Sequence, residues 1–170
     1  MWLGWKKRLP REATARDHGS KVPLITGVWA RVAFGIGLGM GFPEFAFGGV
    51  RNEVFVAGPI LMLAGMALRL YSVHLLGAWF TLDVATRPGQ KVVTSGPYQW
   101  IRHPSYTGAL VTLLGILLCC LNWLTLAALL PAITGYAYRI RVEEAVLGEE
   151  LGAEYREYMK RTRRLIPFIV

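Results

Sequence analysis

The chain has 170 residues, of which 54% are hydrophobic, and its mean hydropathy is +0.38. So apolar a sequence predicts an integral membrane protein, and the length leaves room for one compact bundle without a separate soluble domain. The formal net charge is +8. Because topology and attraction to anionic lipids explain this charge, a nucleic-acid partner is not needed. The oligomeric state stays open.

Four apolar stretches predict an all-α transmembrane bundle of about four spans. They cover residues 22–42, 54–77, 106–121 and 123–138. The first two approach the length of about 20 residues that a bilayer requires. The last two are shorter and meet at Asn122, which predicts a tight hairpin. We expect the fourth helix to kink at Pro131 and to continue past Tyr138 toward Glu150 as a cytosolic extension.

Lysine and arginine residues in the flanking segments predict that both termini are cytoplasmic. Residues 1–21 are rich in both and carry Trp2 and Trp5, so we interpret them as an interfacial segment that is not cleaved. The first connection has Arg51 beside acidic residues, and the hairpin turn has no charge. The C-terminal region is again basic, with Arg139, Arg141, Arg156, Lys160, Arg161, Arg163 and Arg164.

Several features of the apolar stretches are interpreted as packing features. Cys119 and Cys120 are adjacent, so their side chains diverge by about 100° on a helix, and we predict no metal site. The segment "GIGLGMG", Gly35 to Gly41, lacks the strand that precedes a nucleotide-binding loop, and its four-residue spacing favours close helix contact. Arg31 and Arg69 are of more interest, because an ionisable group in a span faces a partner, a cavity or the interface. For Arg69 the simplest expectation is that it reaches the interface.

The stretch "TSGPYQWIRHPSYTG" lies on the cytoplasmic side, between the second span and the hairpin. Gly96, Pro97 and Pro104 forbid a continuous helix there, so residues 85–104 are expected to be irregular. Such a backbone exposes N–H and C=O groups. The segment is therefore a candidate site for a polar ligand such as a purine.

The C-terminal stretch from Arg139 to Phe168 carries a second constellation. Arg139 and Glu143 are four residues apart, which places them on the same helix face. Spacing alone leaves two interpretations open. One is a solvated helix with ion pairs worth about 0.2–0.5 kcal/mol each. The other is a functional site.

In this order, "TSGPYQWIRHPSYTG", "RxxxEExxL", "GxxYxxY" and "RRLIPF" resemble the isoprenylcysteine carboxyl methyltransferase family of integral membrane enzymes. The resemblance covers about residues 80–168. It implies transfer of a methyl group from S-adenosyl-L-methionine (SAM) to the carboxylate of a lipid-modified cysteine. The implied partners are membrane lipids and a lipophilic small-molecule or prenylated acceptor that enters from the bilayer.

The resemblance also implies roles for individual residues. Arg139 is then the catalytic residue that faces the substrate carboxylate, and Glu143 holds the cofactor. Gln90 and Lys91 depart from the residues more usual in the family, which matters little if their backbones make the contacts. The implied cofactor contacts are Gln90, Lys91, Val92, Val93, Tyr98, His103, Pro104, Ser105, Tyr106 and Glu143.

These residue types fit the chemistry of SAM, whose sulfonium, ammonium and adenine call for aromatic faces and an acid. Methylation of a carboxylate needs no general base, because the acceptor is already ionised at neutral pH. Two alternatives remain open. One keeps SAM and changes the acceptor to a phospholipid amine or a thiol, and the other is a sterol-reductase-like or non-catalytic membrane protein.

Overall fold

The computed structural model describes residues 27, 30, 32–37, 39, 41–80 and 89–166. The predicted interfacial segment 1–21, Arg31, part of the stretch 22–42 and residues 81–88 lie outside the described residues. Within the described part, residues 32–37 are helical and no strand forms, which confirms the all-α class. The principal helices are α1 (Arg51–Leu76), α2 (Pro104–Cys119), α3 (Leu129–Glu150) and α4 (Gly152–Arg161).

Helix α1 is the long apolar element, and it contains the predicted stretch 54–77 up to Leu76. Its 26 residues correspond to about 39 Å, more than the roughly 30 Å of a hydrocarbon core. It is the one helix among the described residues that is long and apolar enough to cross a membrane, and only 11% of its most apolar window is buried inside the protein. Large apolar side chains such as Phe55, Leu63 and Leu70 are exposed on it. Helix α2 is apolar but shorter.

Helices α1 and α2 pack against each other in antiparallel fashion through glycines spaced seven residues apart. A Cβ atom added at Gly65 would lie 2.5 Å from the Thr112 nitrogen, and one added at Gly108 would lie 2.6 Å from the Gly65 oxygen. Gly58 and Gly115 approach each other in the same way one repeat further along. The backbones therefore touch directly at two levels, a mode of contact that suits helices in lipid.

The close contact predicted for the segment "GIGLGMG" is present at two of its four glycines. A Cβ atom at Gly35 would lie 2.9 Å from the Ala128 Cβ, and one at Gly39 would lie 2.6 Å from the Thr125 Cγ2. At Gly37 and Gly41 no described atom lies within 4 Å. Gly35 and Gly39, four residues apart, therefore pack against the segment that follows α2.

Asn122 forms that turn, as the sequence predicts. Its buried side-chain amide donates to the carbonyls of Gly39 and Phe42 at 3.0 and 2.9 Å, and its oxygen accepts from the Leu124 N–H at 2.8 Å. The predicted helix 123–138 is wrong in its first part, because Trp123–Ala128 forms a 3-10 helix and α3 begins at Leu129. The hydroxyl of Thr125 donates to the carbonyls of Leu117 and Asn122, which favours the tighter winding.

The predicted continuation of the helix past Tyr138 is confirmed, since α3 runs to Glu150 without interruption; its cytosolic position stays a prediction. Pro131 lies in its first turn, where the missing N–H removes no intrahelical bond, and a kink is not required. Gly152 follows with a φ of +58°, a conformation that glycine adopts at low cost. This left-handed residue ends the run of α3 and starts α4, which turns the buried Tyr155 and Tyr158 inward.

Two helical glycines with opposite surroundings test the packing of α1 on α2. We expect Gly65→Ala to lower stability by about 1–3 kcal/mol, because the new methyl group meets backbone atoms that cannot move aside. The matched change is Gly148→Ala on α3, where no described atom lies within 4 Å of the added methyl group, and it should gain up to about 1 kcal/mol. Thermal unfolding of both variants in detergent measures the difference. A Gly65→Ala variant as stable as the parent would contradict the close contact.

Candidate functional site

The irregular segment before α2 lies at the C-terminal end of α1. Residues 91–94 belong to no helix or strand, and a 3-10 helix forms at Gly96–Gln99, as the prediction of irregular structure requires. Tyr98 fixes this segment in place. Its hydroxyl donates to the Ser72 carbonyl at 3.4 Å, and its own carbonyl accepts from the Tyr158 hydroxyl at 2.6 Å. The segment is thus held between α1 and α4.

The residues directly after α4 run alongside this segment and satisfy its backbone. The Arg102 N–H donates to the Arg163 carbonyl at 2.7 Å, the Arg163 N–H to the Trp100 carbonyl at 2.9 Å, and the His103 N–H to the Arg164 carbonyl at 3.0 Å. The first two residues of "RRLIPF", Arg163 and Arg164, therefore have a structural role, whereas Pro167 and Phe168 lie outside the described residues. The two arginines supply hydrogen-bond partners that an irregular backbone near a bilayer requires.

The buried carboxylate of Glu144 joins the same parts through side chains. Arg102 donates to it at 2.7 Å and Arg164 at 2.9 Å, and the His103 Nε2 lies 3.4 Å from it. Burial by itself would raise the pKa of Glu144, but the bonds from His103, Arg102 and Arg164 lower that pKa to about 2. Glu144 is therefore ionised at physiological pH.

Glu143, the preceding residue, faces a different set of groups. Its Oε2 accepts from the Tyr106 hydroxyl at 2.6 Å and lies 4.0 Å from the His103 Nδ1. The same hydroxyl accepts from the Arg139 Nε at 3.0 Å, and the Tyr106 ring stacks on His103 with an interplanar angle of 10°. Tyr106 thus links the acid and the cation that the spacing places on one face of α3.

A pocket opens beside this arrangement, and most of the predicted contact residues line it. Two predicted residues do not line the pocket. Pro104 is fully buried as the first residue of α2. Arg139 lies behind Tyr106, to whose hydroxyl it donates. The buried hydroxyl of Ser105 has no hydrogen-bond partner in the described part of the chain, which is unusual for a polar atom beside a cavity and indicates a place for a ligand group. The predicted residues that line the pocket are Gln90, Lys91, Val92, Val93, Tyr98, His103, Ser105, Tyr106 and Glu143.

The structure adds pocket residues to which the sequence analysis gave no role. Tyr155 and Tyr158 line one side, and burial raises the pKa of both, that of Tyr158 to about 12. They are therefore neutral aromatic surfaces with no function as bases. Their three-residue spacing in "GxxYxxY" was the available signal. Leu76, Trp79 and Phe80, from the end of α1 and the residues after it, add an apolar side.

The fold and the pocket together define a class of protein: a helical protein with a helix able to cross a bilayer and a partly polar pocket at the end of that helix. Comparison with known proteins gives the family. Residues 58–149 match the isoprenylcysteine carboxyl methyltransferase (ICMT) family, and the chain belongs to it. The match begins inside α1, before the motifs that the sequence analysis used.

Curated relatives of known name support this membership. The chain is 37% identical over 134 residues to a protein-S-isoprenylcysteine O-methyltransferase of Saccharomyces cerevisiae, covering 75% of this chain and 56% of that protein. It is 30% identical over 128 residues to the Arabidopsis thaliana protein-S-isoprenylcysteine O-methyltransferase B, covering 72% and 65%. The chain thus spans between half and two thirds of the length of these relatives.

The Glu144 network predicts a specific dependence of stability on pH. Because folding lowers the pKa of Glu144 from 4.5 to about 2, its contribution to stability is complete above about pH 4.5 and is lost as the pH falls toward 2. We expect the parent to melt at a higher temperature than Glu144→Gln near neutral pH, and the gap to close below pH 4.5. Glu149→Gln, on an exposed residue of the same helix, is the control. A gap that stays constant with pH would exclude the ionised carboxylate as its source.

Proposed function

We propose that this protein is a SAM-dependent methyltransferase that methylates the carboxylate of an S-isoprenylated cysteine or a similar lipophilic acid at the membrane. Membership in the ICMT family and the names of the relatives give the reaction class. The observation that carries the proposal within this chain is the Tyr106 hydroxyl. It bonds to Glu143, which lines the pocket, and to Arg139 behind the pocket wall.

The pocket residues fit SAM by their chemistry. Glu143 offers a carboxylate for the ammonium group, and the rings of Tyr98, Tyr106 and His103 offer faces for the adenine and the sulfonium. The irregular backbone at 90–93 offers polar groups for the purine and the ribose. When bound, SAM supplies the electrophilic methyl group.

Arg139 is the residue that we assign to the acceptor. Its guanidinium is buried and reaches Tyr106 through Nε, so its other nitrogens have a fixed orientation. A guanidinium binds a carboxylate through a planar fork of two N–H donors. Because that carboxylate is already ionised at neutral pH, the protein has no proton to remove, and its task is to align the acceptor oxygen with the methyl group.

Product analysis tests this function directly. Purified protein is incubated with SAM carrying an isotopically labelled methyl group and an N-acetylated S-isoprenylcysteine, and the products are identified by mass spectrometry. We expect a base-labile methyl ester of the acid. Parallel incubations add phospholipids with amine headgroups or a lipophilic thiol, and label found only on one of these would replace the proposed acceptor. Binding of NADPH in place of SAM would exclude methyl transfer as the reaction and favour a reductase.

Glu143→Gln separates cofactor binding from folding. The substitution keeps the side-chain shape but removes the charge that holds the SAM ammonium, so the dissociation constant for SAM should rise more than tenfold, about 1.4 kcal/mol. Glu149→Gln removes an exposed carboxylate from the same helix and should leave it unchanged. Calorimetric titration of both proteins measures the effect, and equal affinities would remove Glu143 from the proposed site.

We also propose that the chain crosses the membrane four times, with both termini and the pocket on the cytoplasmic side. Two ends of the bundle support this arrangement. At one end Ala46 bridges to Asn122, and at the other Ile101 bridges to Arg163, so the loops gather in two groups on opposite ends of α1 and α2. The excess of lysine and arginine lies with the second group, which favours a cytoplasmic position for it.

Labelling of introduced cysteines tests this topology. In a background without Cys119 and Cys120, cysteines at the exposed positions Gly48 and Trp123 should react with an impermeant thiol reagent added to intact cells. Cysteines at Ser95 and Arg156, also exposed, should react only after the cells are opened. The reverse pattern would invert the orientation, and a mixed pattern would contradict the four spans.

A further inference from the structure

Arg69 is a cation within α1, the one described helix that is long and apolar enough to cross a membrane, and the proposed function gives it no role. It lies on α1, seven residues before the end of that helix, and is half-buried. Its side chain does not simply extend along the helix toward the interface. The Nη1 donates to the carbonyl of Ser105 at 3.3 Å, which draws the guanidinium across to the first turn of α2.

The same turn of α2 also contacts Arg139. Arg139 bonds to the hydroxyl of Tyr106, the residue after Ser105, and the rings of Tyr106 and Tyr136 lie 5.2 Å apart. Tyr136 lies within electrostatic range of both Arg69 and Arg139, so both guanidinium groups lie near this residue. None of Arg69, Tyr136 and Arg139 lines the cofactor pocket, whereas Ser105 and Tyr106 do.

The charge of Arg69 is not neutralised within the described part of the chain. No ion pair joins Arg69 to a carboxylate among the described residues, and the N-terminus of α2 adds a partial positive charge. The carboxylate of Glu144 binds Arg102 and Arg164, and that of Glu143 accepts from the Tyr106 hydroxyl. A guanidinium in an apolar setting without a paired acid is costly unless an anion arrives there.

A second observation indicates a ligand at the same turn. Ser105 is 8% exposed, its hydroxyl has no hydrogen-bond partner among the described residues, and it lies at the border between the pocket and the two arginines. A buried hydroxyl without a partner is satisfied when a ligand oxygen comes within reach. The ligand chemistry that suits two guanidinium groups, a helix N-terminus and a hydroxyl is a carboxylate.

We propose that Arg69 is a second carboxylate-binding residue, which together with Arg139 forms a two-cation subsite that selects an acidic acceptor over a neutral one. This inference rests on the proposed function and deepens it. Arg139 orients the acceptor carboxylate beside the pocket, and Arg69 approaches the same group from α1. Because α1 is the helix exposed to lipid, the subsite lies where the head of a membrane-embedded acceptor meets the pocket.

The test compares an acid with its neutral counterpart. The probes are an N-acetylated S-isoprenylcysteine and the carboxamide of the same compound, which has no charge. We expect Arg69→Gln to raise the KM for the acid about tenfold or more, the loss typical of a charge-assisted hydrogen bond. Inhibition by the carboxamide and the dissociation constant for SAM should stay within about twofold of the parent, while Arg69→Lys should fall between the two proteins because it keeps the charge.

Each other outcome overturns the inference. If Arg69 only ties α1 to α2, the glutamine still offers a donor to the Ser105 carbonyl. The KM for the acid and the inhibition by the carboxamide would then change together or not at all. If SAM affinity falls instead, the cation serves the carboxylate of the cofactor. Arg51→Gln, an exposed cation at the other end of α1, is the control and should leave every constant unchanged.

If the proposed function itself is wrong, the parent protein gives a result different from any of those above. A parent protein that binds SAM but does not methylate the acid would remove the proposed acceptor before any variant is compared. Thermal unfolding of Arg69→Gln and Arg69→Lys, measured in the same detergent, shows whether either variant is folded. The ratio of acid to carboxamide affinity remains interpretable at reduced stability, because a general loss of folded protein lowers both signals equally.

Discussion

The ionised carboxylate of Glu144 is the constraint on which the pocket depends. A buried charge is tolerated only when hydrogen bonds and opposite charges replace the lost water, and here Arg102, Arg164 and His103 do so. These partners come from the segment before α2 and from the segment after α4. Their attachment to one side chain on α3 brings both irregular segments against the bundle, and the backbone bonds between Trp100 and Arg164 then become possible.

The division of the site follows from that placement. With His103 fixed by Glu144, its ring stacks on Tyr106, and the Tyr106 hydroxyl lies between Glu143 and Arg139. In the proposed function, this phenol separates the pocket assigned to the cationic cofactor from the basic region assigned to the anionic acceptor. A methyltransferase needs two such partners in contact but held by different groups, since the reaction depends on alignment and not on proton transfer.

The sequence predicts the parts of this site better than it predicts their arrangement. Proline and glycine placed the irregular segment correctly, and the four-residue spacing placed Arg139 and Glu143 on one face of α3. The extension of α3 to Glu150 was also predictable, because charged residues continue the helix beyond its apolar part. The 3-10 helix at Trp123–Ala128 was not, since it depends on hydroxyl and amide bonds between residues whose proximity only the fold creates.

Long-range contacts were the main element that periodicity did not reveal. The glycines of α1 and α2 repeat every seven residues, yet nothing local shows that Gly65 faces Gly108. Residues 163–165, the start of "RRLIPF", likewise contact residues far away in the chain, as in the bond from the Thr107 hydroxyl to the Leu165 carbonyl. The motifs could be recognised in the sequence, but the contacts that explain them form only in the tertiary structure.

The division of the site at Tyr106 is tested most directly at Arg139, on the acceptor side. Arg139→Lys keeps the charge but loses the planar fork, so turnover of the isoprenylcysteine acid should fall substantially while SAM affinity stays close to that of the parent. Arg141→Lys, the same change at an exposed position of α3, is the matched control. Steady-state kinetics read beside SAM titrations decide the question: near-parental turnover in Arg139→Lys, or a loss of SAM affinity equal to the loss of turnover, would contradict the account.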